Sequence, residues 1–174
     1  MLDAVLTDVL IRPERPEDIQ AIHDVTKRAF ATMSYAGGDE QLLPARFRKA
    51  GALALSLVAE LDGKIVGQLT LTPAFAADES PGWFALGPIS VAPETQKQGI
   101  GTKMIEAAKA WMREKSAAGC VLVGSPTYYS RFGWLGFPDI APEGEPPEFY
   151  QILPLGVAEP STIVSFHPLF YGEA

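Results

Sequence analysis

The residues whose types and spacing best suit chemistry run from Val91 to Thr102: Val91-Ala92-Pro93-Glu94-Thr95-Gln96-Lys97-Gln98-Gly99-Ile100-Gly101-Thr102, a strand end, a polar loop, then Gly-x-Gly opening a helix. Glycines permit close backbone approach, successive N–H groups can point at one spot, and a helix start adds partial positive charge, so phosphate is the natural guest. A Walker loop would end in Gly-Lys-Ser/Thr, whereas the order here is Gly101-Thr102-Lys103. A dinucleotide fingerprint would need a third glycine where Met104 stands. The plain alternative is that Gly99 and Gly101 only allow a tight strand-to-helix turn. Charge argues for more than that: residues 93 to 131 carry six basic side chains against three acidic ones, and Lys97 and Lys103 bracket the glycines.

Other chemistries have less to work with. Cys120 is the only cysteine, so an intrachain disulfide is excluded and a thiolate zinc site lacks partners. It falls in an apolar strand and reads as buried, not as a nucleophile. His23 and His167 are far apart in sequence, and no metal is expected. The formal charge of −7 over 174 residues argues against a general nucleic-acid binder. That charge is uneven: residues 132 to 174 hold six acids and no Lys or Arg. Met1 to Leu10 carries Asp3 and Asp8 without a basic flank, unlike a signal peptide, and nothing approaches the ~18 apolar residues of a membrane helix. The expectation is a cytoplasmic protein with neither nucleic acid nor membrane as partner.

The elements that must position the glycine turn can be read from periodicity. Residues 8 to 12 form a short strand, and Pro16, Glu17 and Asp18 open a helix whose Ile19, Ile22, Val25, Ala29 and Phe30 share one face. A shorter helix follows from Asp39 to Ala50. Asp62-Gly63 between two apolar runs predicts a hairpin. The run from 83 to 93 contains Gly87-Pro88, which a regular central strand would not tolerate and which therefore predicts a bulge with unpaired main-chain groups. A long helix begins near Gly99, with Ile100, Met104, Ile105, Ala108, Trp111 and Met112 on one face, and CVLVGS (120 to 125) suits the middle of a sheet. One or two helical turns at 126 to 132, a Pro/Glu-rich connection and two last strands, EFYQILPL and TIVSFHPLF, complete the chain. The order β, α, α, β, β, β, α, β, short α, β, β predicts one α/β (α+β) domain over 1–174, with a mixed, mostly antiparallel sheet of about seven strands and about four helices.

Gln96-x-x-Gly99-x-Gly101, preceded by Ile89-Ser90-Val91-x-Pro93, resembles the acetyl-CoA-binding motif of the GNAT N-acetyltransferases. Tyr128-Tyr129-Ser130-Arg131-Phe132-Gly133-Trp134 is similar to the aromatic-Tyr-x-x-x-Gly-aromatic signature of the same family. LGPISV, VLVGSPTYYSRFGW and FHPLF most resemble its YhbS-like bacterial branch. The resemblance implies a GNAT-like fold in which two strands splay apart to form the acyl-CoA cleft. It implies acetyl-CoA as co-substrate, with Ile89 and Val91 offering backbone groups to the pantetheine arm and Gln96, Lys97, Gln98, Gly99, Gly101 and Thr102 cradling the pyrophosphate. Lys97 departs from the pattern where glycine is frequent, adding a cation. Ser125 departs where Asp or Asn is frequent, at a polar contact to the cofactor.

The implied reaction is direct attack of a bound primary amine, on a small molecule or a peptide, upon the thioester. Tyr129 matches the family's tyrosine acid, which protonates the departing thiolate; Tyr128, one helical step away, is expected to point elsewhere. Core aromatics with hydrogen-bonded hydroxyls are the plain reading of both. Glu60 is a candidate base, and the segment Thr32 to Glu40 and the later strands are candidate acceptor walls. The acid-only C-terminal quarter is expected to attract a cationic amine. The family admits a homodimer. A second reading remains open, that of a non-catalytic acyl-CoA-binding or protein-interaction module on the same scaffold.

Overall fold

In the computed structural model, which describes residues 8–34 and 36–172, nine strands and four helices follow one another among seven 3-10 turns. The first seven residues of the N-terminal stretch lie outside the described residues, as does Tyr35 in the Thr32 to Glu40 segment. The elements are β1 (Leu10–Pro13), α1 (Ile19–Phe30), α2 (Leu43–Lys49), β2 (Leu55–Leu61), β3 (Lys64–Pro73), β4 (Phe75–Ala76), β5 (Trp83–Val91), α3 (Ile100–Glu114), β6 (Gly119–Val123), α4 (Pro126–Tyr129), β7 (Leu135–Gly136), β8 (Tyr150–Pro154) and β9 (Val164–Ser165). Seven strands form one sheet in the order β1-β2-β3-β5-β6-β8-β7, antiparallel except for β5 beside β6. No helix among the described residues is long and apolar enough to cross a membrane.

Local chemistry explains the hairpin. Asp62 and Gly63 both take positive φ, 51° and 77°, which a tight two-residue turn between twisted strands requires. β3 then presents odd positions to one side and even positions to the other. Leu69 and Leu71 join the cluster built by Met104, Ile105, Ala108 and Met112 of α3, while Gln68 is linked through Ser90 to Thr26 of α1. Both faces are covered.

The end of the chain departs from expectation. TIVSFHPLF does not add a strand to the main sheet: only Val164–Ser165 is extended, and it pairs with β4 in a separate two-stranded sheet. Tyr150 donates its hydroxyl to Val164 O at 2.8 Å, and Phe166 packs between Tyr150 and Phe170, so tertiary contacts hold this segment. The seventh strand of the main sheet is instead β7, two residues long and paired to β8.

At the other edge, Arg12 on β1 makes a bidentate ion pair with Asp18 (2.7 and 3.1 Å), which also accepts from Arg15 N at 2.7 Å and closes the turn into α1. Arg12 and Asp18 are 8% and 5% exposed, so the pair is buried. The guanidinium holds the Asp18 carboxyl below its ordinary value of 3.8, against the opposing pull of burial. Removing the bidentate partner leaves the buried Arg12 only its contact to the partly exposed Glu60 at 3.2 Å, so Asp18→Asn is expected to lower stability by about 2 kcal/mol in urea denaturation at pH 7. Because the folded pKa is depressed, this stabilisation is complete above the carboxylate's ordinary range and lost as pH falls through the folded value. The gap between wild type and variant should therefore close below about pH 4.

Candidate active site

The site opens where the sheet stops being a sheet. β5 and β6 run parallel and pair only from Trp83↔Gly119 to Ala85↔Val121; beyond Ala85 and Val121 they diverge. On its other side β5 skips register against β3, from Leu69↔Ile89 to Leu71↔Leu86, so three steps on β5 oppose two on β3. The extra residue lies at Gly87-Pro88, where Gly87 takes φ 146°. Past the bulge, Ala92 N donates to Val66 O at 2.7 Å. Alternation along the strand then turns Ser90 toward β3 and the main-chain groups of Ile89 and Val91 toward the gap, where no strand meets them. A cavity of about 760 Å³ fills that gap.

Its floor is the glycine turn. Gly99 caps α3 in the left-handed region at φ 85°; no side chain caps the helix and no acid stands in its first turn. The first N–H groups of α3 thus have no intrahelical acceptor, and the positive end of the helix faces Lys97, Gly99, Ile100, Gly101 and Thr102, all of which line the cavity. Gln96 lines it too, but its side chain is spent on the strand, donating to Val91 O at 3.0 Å and fixing the loop to the end of β5. Gln98 and Lys103 are not among the lining residues.

Lys97 holds a left-handed backbone, φ 63°, at a cost to a side-chain-bearing residue of about 1 kcal/mol. Glycine would remove that cost and also an exposed cation. Lys97→Gly is therefore expected to raise the unfolding free energy by about 0.5 to 1 kcal/mol while weakening the binding of a phosphate-bearing ligand about threefold, opposite signs that denaturation and calorimetry can separate.

The far wall is α4 and the turn after it. Ser125 caps α4, its hydroxyl accepting from Tyr128 N, and lines the cavity. Tyr128 does not point elsewhere. Tyr128 and Tyr129 stack at 5.0 Å and 24°, and both line the cavity. A Cβ built on Gly101 would stand 2.8 Å from the Tyr128 hydroxyl, so that hydroxyl lies over the glycine turn. Burial raises the pKa of the Tyr128 phenol, with Arg131 opposing. Arg131 lies over the rings of Tyr128 (4.9 Å) and Phe132 (5.3 Å) and lines the cavity, a second cation across from Lys97 that the sequence reading had not singled out. The signal was present as the three-residue spacing between Tyr128 and Arg131.

Tyr129 is backed by Trp134 at 5.9 Å, whose indole donates to Cys120 O on β6 at 3.1 Å. A side chain at Gly124 would strike the Tyr129 ring at 2.7 Å, so that glycine admits the ring. The buried Lys109 of α3 donates to Phe132 O at 2.7 Å and anchors the end of the Tyr128-to-Phe132 segment. Burial pushes the Cys120 thiol well up, which leaves no nucleophile there.

The third wall is apolar: Ala29 and Phe30 of α1, then Met33 from the Thr32 to Glu40 segment. Glu60 is elsewhere, paired with Arg12 at 3.2 Å beside a second cavity, and does not serve this one. Among the described residues no acid of the C-terminal quarter lines the cavity, and Glu145 is engaged by the Tyr171 hydroxyl. No group of His, Cys, Asp and Glu suited to a metal occurs among the described residues.

A splayed parallel pair, a bulged strand and a glycine turn at a helix start, in this order, can also be compared with known proteins. The model of the acetyltransferase (GNAT) family matches residues 19–134. The chain belongs to this family. It is 30% identical to the uncharacterized N-acetyltransferase YhbS of Escherichia coli K12 over 127 residues, 72% of this chain and 73% of that protein. The crystal structure of a GNAT acetyltransferase from Brucella melitensis in complex with acetyl-CoA superposes with a TM-score of 0.82 at 38% identity, covering 93% of this chain and 97% of that one. That of Escherichia coli YhbS in complex with CoA gives 0.84 at 25%, covering 94% and 92%.

Proposed function

We propose that this GNAT protein, a single domain, transfers the acetyl group of acetyl-CoA to a primary amine on a small molecule or peptide. One observation carries the reading: β5–β6 pairing ends at Ala85 and Val121, opening a cleft with main-chain groups at its side and an uncapped helix start at its floor. A cofactor with an amide-bearing arm and a pyrophosphate needs that combination. The solved relative with acetyl-CoA supports it. In this reading Ile89 and Val91 align the pantetheine arm, Gly99, Gly101, Thr102 and the loop backbone at Gln96, Lys97 and Gln98 hold the pyrophosphate, and Ser125 makes a polar contact at the mouth. The amine nitrogen attacks the thioester carbonyl, the N–C bond forms and the C–S bond breaks. The coenzyme leaves as a thiolate and takes a proton from Tyr129, the attacking nitrogen gives one up to solvent water, and the Tyr129 phenolate regains a proton from solvent. The lone buried thiol of Cys120 fits a cytoplasmic setting.

Calorimetric titration with acetyl-CoA tests the first half of the reading. Binding is expected, and no heat at millimolar ligand overturns it. Thiol release on addition of a broad amine panel tests the second half. Binding without turnover on any amine assigns the chain to the alternative, an acyl-CoA-binding module.

A further inference from the structure

The even-numbered face of β3 is polar yet sealed: Gln68 and Thr70 are both 0% exposed. Gln68 lies where β5 departs from the ladder. Its amide nitrogen spends one hydrogen on Pro88 O at 3.0 Å and the other on Ser90 Oγ at 3.1 Å, while its oxygen accepts from Thr70 Oγ1 at 3.1 Å. Ser90 donates onward to Thr26 Oγ1 of α1 at 3.3 Å, and Thr26 donates to Ile22 O at 2.7 Å. Thr70 donates, and Ser90 and Thr26 each accept one bond and donate one, so the bonds run one way, from Thr70 through Gln68 and Ser90 to the backbone of α1. The orientation of the amide is fixed as well, since the reverse one would set oxygen against the Pro88 carbonyl.

The register skip gives this chain its purpose. The register between β3 and β5 passes over Gly87, Pro88 and Thr70, and at that skip the Pro88 carbonyl accepts from the Gln68 amide. Gln68 thus grips the bulge with a side chain. Pro88 and Ser90 line the cavity on one wall, and α1 lines it on another through Ala29 and Phe30. One set of hydrogen bonds therefore ties both walls together.

We propose that Gln68 is a positioning residue for acyl transfer: its grip on Pro88 and Ser90 holds the bulged β5 at a fixed distance from α1, and so fixes the main chain at Ile89 and Val91 against the thioester. This rests on the acetyltransferase reading, and because the coenzyme's phosphates are held elsewhere, on the turn at 96–102, the clamp governs the chemical step more than cofactor binding.

The experiment uses the full chain with Gln68→Met and, as control, Thr70→Val, which removes a buried hydrogen bond of the same network while leaving the grip on Pro88. Hydrogen exchange followed by mass spectrometry should show residues 86–91 exchanging about tenfold faster or more in Gln68→Met, with Thr70→Val near wild type. Turnover should show kcat lower by about tenfold to a hundredfold and KM for acetyl-CoA within about threefold, because a small displacement of reacting groups costs rate before it costs binding. A merely structural role lowers the melting temperature of both variants alike and leaves kcat and the exchange of 86–91 unchanged, and that result overturns the proposal. If Gln68→Met does not fold, Ser90→Ala, which cuts the link to Thr26, decides by the same exchange measurement: unchanged exchange at 86–91 overturns the clamp. A wild type without turnover sinks the acetyltransferase reading alone, since the exchange measurement still judges the clamp.

Discussion

Gly101→Val is expected to give a folded protein that no longer binds acetyl-CoA. Position 101 lies in the first turn of α3 with ordinary helical geometry, and a helix accepts valine at a cost below that of glycine itself. What the site lacks is room on the ligand side. A Cβ alone would come to 2.8 Å from the Tyr128 hydroxyl and 3.9 Å from Val91 Cγ2, and the two further methyl groups of valine would fill the space the helix N–H groups face. The phenol can rotate away, so the fold survives; a pyrophosphate cannot approach an amide through a methyl group. The expected readings are a melting temperature within a few degrees of wild type and an affinity for acetyl-CoA reduced by about a hundredfold or more, because two or three charge-assisted hydrogen bonds are lost together. Retained affinity would remove the pyrophosphate from this turn and, with it, the reading of the cleft.

The parts of the fold legible in the sequence are those decided by nearest neighbours. Asp62-Gly63 announced the hairpin because few residue pairs accept two positive φ values, and Gly87-Pro88 announced the bulge because proline has no N–H for the ladder. The parts that were not legible depend on contacts distant in sequence. β9 is two residues long and owes its place to Tyr150 and to β4, neither of which its own residues could signal. Gln68 and Thr70 alternate with leucines as a strand with one wet face would, and only α1, some forty residues earlier, covers them. The same reasoning applies to charge. Glu60, read as a possible base, meets Arg12 across forty-eight residues of sequence, and the described acids of the C-terminal quarter lie outside the cavity wall, whose charged side chains among the described residues are Lys97 and Arg131. A wall of that sign suits a polyanionic cofactor and gives a cationic acceptor no local counter-charge.

Tyr129→Phe is expected to separate chemistry from binding. The ring is held by stacking on Tyr128, by the edge of Trp134 and by the bare backbone at Gly124, and phenylalanine preserves all three. Only the hydroxyl is removed. If it protonates the departing thiolate, kcat should fall by about a hundredfold to a thousandfold with acetyl-CoA affinity unchanged within about twofold. Tyr128→Phe is the matching experiment, because the two rings are stacked and sequence spacing alone does not rank them. The Tyr128 hydroxyl stands over Gly101, in the turn proposed to hold the pyrophosphate, and its removal should raise KM for acetyl-CoA with a smaller effect on kcat. Burial, which raises its pKa, keeps it a protonated donor throughout the working range, as a group that holds a phosphate oxygen requires. The opposite split, kcat falling with Tyr128→Phe and KM rising with Tyr129→Phe, would exchange the two assignments and move the thioester toward the glycine turn. The two variants thus test the proposed division of labour, thiolate protonation by Tyr129 against phosphate contact by Tyr128, because the splay between β5 and β6 is where the proposal lays the thioester.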